Sequence, residues 1–192
     1  MMRKIFMGTV VLAVFILLNG CDSGQKLIND PNMQVNLIGT DSFPRQLVGR
    51  WRSDRFGWEI EFAKNGAISS IVHPLGNIEV SEGHETSVPL IFNGKGVVRP
   101  GKWIVEYDKT TRNLTVEINL DSFVFQKLED VVEGKSKDIF SGPISGDGTQ
   151  WEAFWQTYPE YIITTDIYNK KVLPIDDEQH DAGVLIFQKI GR

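Results

Sequence analysis

Apolar and polar residues alternate with a period of two through most of the chain after Gln46. A period of two marks strands with one buried face. Trp58, Ile60 and Phe62 alternate with Glu59 and Glu61. Lys64, Asn65 and Gly66 then supply an Asn-Gly hairpin signal, and residues 67–73 read as the return strand. Trp103, Val105 and Tyr107 share one face of the next clear strand. A polar turn over 108–113 follows, and Leu114, Val116, Ile118 and Leu120 then alternate with Thr115, Glu117 and Asn119. The Asp147-Gly148 pair marks another turn, after which Trp151, Ala153 and Trp155 lie on one face. Residues 161–168 and 184–190 complete the strands. One segment reads differently. Over 122–133, Phe125, Leu128 and Val132 stand at helical spacing and Gly134 supplies a stop, although Phe123, Val124 and Phe125 fit a strand equally well. The class is therefore all-β: an antiparallel up-and-down barrel, or alternatively a β-sandwich.

The first residues follow another pattern. Arg3 and Lys4 precede a charge-free run over 5–18. That run is shorter than the roughly 20 residues a spanning helix needs, and it matches the helical apolar core of a signal peptide. Leu18, Asn19, Gly20 and Cys21 then resemble the lipobox of bacterial lipoproteins. The resemblance implies cleavage after Gly20 and a diacylglycerol on the Cys21 sulfur, so that lipid makes the membrane contact. An Asp at position 22 resembles the inner-membrane retention signal of enteric-type lipoproteins. Where that sorting operates it implies the periplasmic face of the inner membrane, and otherwise the outer membrane. Three regions result: a signal peptide over 1–20, a lipidated N-terminus and tether over 21–45, and a β-domain over 46–192. The tether is rich in Asp, Asn, Gly and Ser, but Met33, Val35, Leu37 and Ile38 are apolar enough to pin parts of it to the domain.

Charge and cysteine content narrow the functions. Cys21 is the single cysteine, so the mature domain has no internal disulfide and no thiolate metal site. The chain carries 20 basic and 25 acidic residues; without Arg3 and Lys4 the balance is 18 against 25, or −7. Such a domain lacks the basic footprint of a nucleic-acid binder. It also lacks the charge for broad contact with anionic headgroups.

Gly49 and Trp51 open the first strand of the domain as Gly-x-Trp, which resembles the lipocalin signature. Thr165, Asp166, Ile167 and Tyr168 partly resemble that family's later Thr-Asp-Tyr motif, with the Tyr displaced by one position. The resemblance implies an eight-stranded barrel whose Trp51 closes one end while Gly49 lets the strand bend. It also implies a basic residue over the Trp, for which Lys189 and Arg192 are the candidates. An eight-stranded interior holds side chains or one small ligand. The aromatic and aliphatic faces of Trp58, Ile60, Phe62, Trp103, Val105, Tyr107, Trp151 and Trp155 are the candidate lining; the alternative is an ordinary filled core.

Reactive motifs fall short. Residues 96–102 have P-loop spacing, but Trp103 stands where Ser or Thr must hold magnesium, and Pro100 removes a cradle N–H. His84-Glu85 begins a zinc-protease motif whose second histidine is replaced by Val88. His73, His84 and His180 are scattered in sequence. Asp176, Asp177, Glu178, His180 and Asp181 lack the alternating loop that calcium uses and read as a solvated acidic loop. Ser145 is not in a Gly-x-Ser-x-Gly elbow. The Asn113-Leu114-Thr115 sequon carries no weight in a bacterial lipoprotein. No cofactor, metal or catalytic set is expected. The leading expectation is a non-enzymatic envelope lipoprotein that binds a small apolar ligand or lipid. The alternative is a tethered module that contacts another envelope protein.

Overall fold

The computed structural model describes residues 32–74, 78–89, 94–127, 130–165, 171–174 and 181–191. The segments read as a signal peptide and as a lipobox with Cys21, Asp22, Asp166 to Tyr168, most of the acidic cluster and Arg192 lie outside the described residues. The structure is all-β, with one short 3-10 turn at Arg45–Leu47. The strands are β1 (Met33–Ile38), β2 (Gly49–Ser53), β3 (Glu59–Phe62), β4 (Ile68–His73), β5 (Ile78–Val80), β6 (Thr86–Pro89), β7 (Lys95–Asp108), β8 (Asn113–Lys127), β9 (Asp130–Pro143), β10 (Gln150–Thr165), β11 (Lys171–Pro174) and β12 (Ala182–Ile190).

They form one mixed sheet in the order β1, β7, β8, β9, β10, β12, β2, β3, β4, β5, with β6 against β7 and β11 against β10. The β1–β7 ladder is parallel and the others are antiparallel. The expected closed barrel is not formed: the path ends at β5 and at β1, and no ladder joins these ends among the described residues. The edge of β7 that closure would use is already taken. β6 pairs with Lys95–Val98 and β1 with Trp103–Asp108. Thus β1, which lies in the stretch read as a tether, occupies an edge of the sheet. Strand alternation specifies which face of a strand turns inward, but not which neighbour its free edge finds.

The sheet nonetheless rolls over its apolar face. His73 on β4 and Asp138 on β9 stand five steps apart along the sheet, yet His73 Nε2 lies 3.6 Å from Asp138 Oδ2. A run of rings fills the space between. Trp151 stacks on Phe187 at 4.8 Å, Phe187 meets Phe140 at 5.6 Å, and Phe140 meets Trp58 at 5.0 Å. Trp51, Trp58, Trp103 and Trp151 are all fully buried. An aromatic side chain buries about 150–250 Å², so each contributes on the order of 4–6 kcal/mol of apolar transfer energy.

The segment over 122–133, which fits a helix or a strand in sequence, is strand where it is described, at 122–127 in β8 and 130–133 in β9. Phe123 is buried, Val124 exposed and Phe125 half-buried, which is a period of two. Lys127 pairs with Asp130 where β8 and β9 meet, and residues 128 and 129 lie outside the described residues. Gly134 does not stop a helix. It sits within β9, where a Cβ would run into the Glu160 carbonyl and Tyr161 of β10. Close cross-strand approach, not helix termination, demands glycine there.

Candidate functional site

Inward-facing positions of β10 lead out of the core. Trp151 and Ala153 are buried, Trp155 follows, and Thr157, Pro159, Tyr161 and Ile163 continue on the same parity as half-buried residues. The apolar filling runs out along this line, and a cleft of about 320 Å³ opens. Phe123 of β8 and Val132 of β9 complete one wall. Phe56, Trp58, His73 and Pro74 face them from β4 and the turn before β3. The size is at the lower end of the range for small-molecule sites, roughly 300–1,000 Å³, and the mostly apolar lining with few polar groups is the usual composition of such sites.

The polar groups gather at the buried end. His73 is 6% exposed and Asp138 1%. The Trp155 indole donates to Asp138 Oδ1 at 3.0 Å, and His73 lies at 3.6 Å from Oδ2. The His73 ring also meets the Trp58 ring edge-on at 4.6 Å. Ser136, one inward position before Asp138 on β9, is 7% exposed. Trp58 Nε1, Ser136 Oγ and Asp138 Oδ2 are buried and have no hydrogen-bond partner among the described residues. Each such atom costs about 1–3 kcal/mol when left unsatisfied.

The rim carries a strained aromatic. Phe56 is 56% exposed, has φ of +62° and packs on Trp155 at 5.1 Å between ring centroids. A left-handed conformation costs a bulky residue about 1–2 kcal/mol. An exposed, strained aromatic beside an apolar cleft is thus maintained against both solvation and backbone preference.

Of the eight residues read as pocket lining, Trp58 and Trp155 reach this cleft. Ile60, Phe62, Trp103, Val105, Tyr107 and Trp151 are packed into the core. Trp103 donates to the Asn119 carbonyl at 3.1 Å and Trp151 to the Gly142 carbonyl at 3.2 Å, so each is fixed in place. His73, Ser136, Asp138, Phe123 and Tyr161 were not anticipated. His73 and Asp138 did leave a signal: each occupies an inward parity position, next to Ile71 and Phe140 respectively. A polar residue at an inward position of a strand asks for a partner.

At the opposite end, Gly49 has φ of +114° and the Lys189 stem lies against it; a Cβ there would meet Lys189 Cε at 3.3 Å. Lys189 pairs opposite Trp51, and its ammonium donates to the Gln46 carbonyl at 3.0 Å. The Trp51 indole donates to the Leu47 carbonyl at 2.9 Å. Trp51 is therefore anchored beneath the 3-10 turn with a basic side chain beside it.

Grooves on the outer face of β7 to β10 are lined by Lys102, Lys135, Lys137, Asp121 and Glu160. Lys135 pairs with Glu160 at 2.9 Å and Lys137 with Glu117 at 3.1 Å. Exposed pairs of this kind are worth about 0–1 kcal/mol and leave no net charge to recruit a ligand. Among the described residues no group of three or more metal-ligating side chains converges, and no helix is long and apolar enough to cross a membrane. No family model, no curated protein and no solved structure matches the chain.

Proposed function

We propose that this chain is a membrane-anchored lipoprotein of the bacterial envelope, held by lipid on Cys21, whose lipocalin-like β-domain binds a small apolar ligand or lipid without transforming it. The observation that carries the ligand reading is the apolar cleft between Trp58 and Trp155, with buried polar atoms at its inner end. The arrangement of Gly49, Trp51 and Lys189 supports the lipocalin likeness, because a buried tryptophan near the start of the domain is anchored under a turn with a basic side chain beside it.

Binding is tested with the full-length protein in nanodiscs of uncharged phosphatidylcholine. A decyl-chain amphiphile should bind saturably, in excess of empty nanodiscs, with micromolar affinity. That corresponds to about −8 kcal/mol. The variant Phe56→Gly should weaken binding several-fold, since it removes a wall of the mouth. Its stability should change by less than about 1 kcal/mol, because relief of the left-handed strain offsets the lost ring contact. No saturable binding to the wild type would end the ligand reading.

The anchor is tested separately. The motivation is the charge-free run that ends in Leu18 to Cys21. Expressed in a bacterium with a fatty-acid probe, the protein should carry label, and Cys21→Ala should lose the label and stay unprocessed. Equal labelling of both forms would exclude lipid on Cys21.

A second reading draws on Phe154, Val184 and Ile186. These are exposed on the outer face of β10 and β12, where Phe154 pairs with Val184. Together with the filled core around Trp151, they suit a tethered module that contacts another envelope protein. It becomes the better account if no apolar ligand binds.

A further inference from the structure

Buried polar atoms gather where the cleft meets the core. The inference rests on the ligand reading above and specifies it. Three buried side-chain atoms lack hydrogen-bond partners among the described residues, and all three residues line the cleft. Trp58 Nε1 can only donate; an ionised Asp138 Oδ2 can only accept; Ser136 Oγ can do both. His73 links two of these residues, since it lies edge-on to the Trp58 ring and 3.6 Å from Asp138 Oδ2.

Each class of head meets this set differently. A bare hydrocarbon end satisfies none of the three atoms. A carboxylate accepts from the Trp58 indole but brings a second anion beside Asp138, which is itself buried, where like charges are costly. An ammonium donates to Asp138 but has no lone pair for Trp58. A hydroxyl accepts from the indole and donates to the carboxylate, and Ser136 can take either role beside it. We propose that the cleft takes an amphiphile with an uncharged hydroxyl head, the class of long-chain alcohols and partial glycerides, with the head at Trp58, Ser136 and Asp138 and the chain along Tyr161 and Ile163.

The test uses the full-length protein in phosphatidylcholine nanodiscs, with equilibrium dialysis fixing the free concentration of each probe. The probes are decanol, decanoate and decylamine, at a pH where decanoate is ionised and decylamine protonated. Decanol should bind about tenfold or more tightly than either charged probe, the discrimination expected when a buried hydrogen bond is exchanged for an unsatisfied or repelled charge. Trp58→Phe and Ser136→Ala preserve shape and remove one polar atom each; each should weaken decanol by about twofold to tenfold. Their near-ultraviolet circular dichroism and unfolding midpoints report whether the fold is kept, and Ser136→Ala should be at least as stable as wild type. Asp138→Asn should narrow the gap between decanol and decanoate. Decanoate or decylamine binding as tightly as decanol would overturn the head-group assignment and leave the apolar-ligand reading intact. So would undiminished decanol binding by both Trp58→Phe and Ser136→Ala. Failure of all three probes to bind would overturn the apolar-ligand reading itself.

Discussion

Trp151→Ala is expected to lose about 3–5 kcal/mol of folding stability, the range for truncating a large aromatic in a tight core. Small domains have only about 5–15 kcal/mol in total, so the variant should be partly unfolded or close to it. Three features place the loss at the high end. The side chain is fully buried, its ring stacks on Phe187, and its indole donates to the Gly142 carbonyl, a bond that truncation removes. Gly142 cannot shift inward to compensate, because the Glu152 carbonyl of β10 already lies against it. Trp103→Ala should behave alike, since Trp103 is equally buried and held by Asn119. It should therefore act on stability and not on ligand affinity. Trp155→Ala leaves less of a cavity, because Trp155 lies beside the cleft, but it also removes the indole that donates to the buried Asp138 carboxylate at 3.0 Å, so its cost should approach that of Trp151→Ala. Urea unfolding followed by far-ultraviolet circular dichroism measures all three. A Trp151→Ala midpoint equal to that of wild type would contradict the packing described for this end of the core.

This contrast between tryptophans also shows what a linear sequence reveals. The period of two identified most of the strands and gave Trp58, Trp103, Trp151 and Trp155 their inward parity, because parity is a local property of an extended chain. Distance along the interior is not local. Whether an inward aromatic meets other rings, as Trp151 does, or ends at a cleft, as Trp155 does, depends on strands far away in sequence. The same limit applies to sheet closure. Residues 33–38 were apolar enough to be pinned to the domain, but nothing in them specified a parallel ladder with β7. The ambiguity over 122–133 has a definite cause. Phe125, Leu128 and Val132 satisfy a helical spacing by chance, although Phe125 and Val132 are partners across two strands, and Gly134 looks like a stop when its real constraint is the backbone of β10.

The polar end of the site was less legible still. His73 and Asp138 come from strands that are not neighbours in the sheet, and no short motif connects them. His73 counted as one of three scattered histidines. Asp138 stands in a segment where Lys135 and Lys137 suggest a solvated surface; those lysines face outward, and the residues between and after them face in. Reading the parity of β9 through Ser136, Asp138 and Phe140 would have exposed two polar residues on a core face. That signal becomes usable once the segment is recognised as a strand.

Gly66→Ala is expected to destabilise the domain by about 2–5 kcal/mol, an unusual loss for adding one methyl group. Two separate effects combine. The first is local. Gly66 occupies the β3–β4 hairpin with φ of +87°; its N–H donates to the Ala63 carbonyl at 3.0 Å, and Ala63 N–H donates to the Ala67 carbonyl at 2.8 Å. The Asn65-Gly66 pair foretold a hairpin, and the loop is a three-residue one with glycine at its left-handed position. An L-residue there costs about 1–2 kcal/mol. The second effect is tertiary. A Cβ on Gly66 would lie 2.7 Å from Cδ2 of Phe43 and 3.1 Å from Cγ1 of Val35. Phe43 cannot retreat freely, being buried against Phe62 at 5.7 Å and Tyr107 at 6.3 Å. Overpacking of this kind costs about 1–3 kcal/mol. The two effects separate in a double-mutant cycle with Phe43→Leu, which has its own cost but makes room at the clash. The tertiary part should appear as a coupling energy of about 1–3 kcal/mol, within the range seen for residues in contact. The local part should persist in both backgrounds. Strict additivity would mean that Phe43 does not press on the hairpin, and that β1 and the segment after it are not seated on the sheet at this corner.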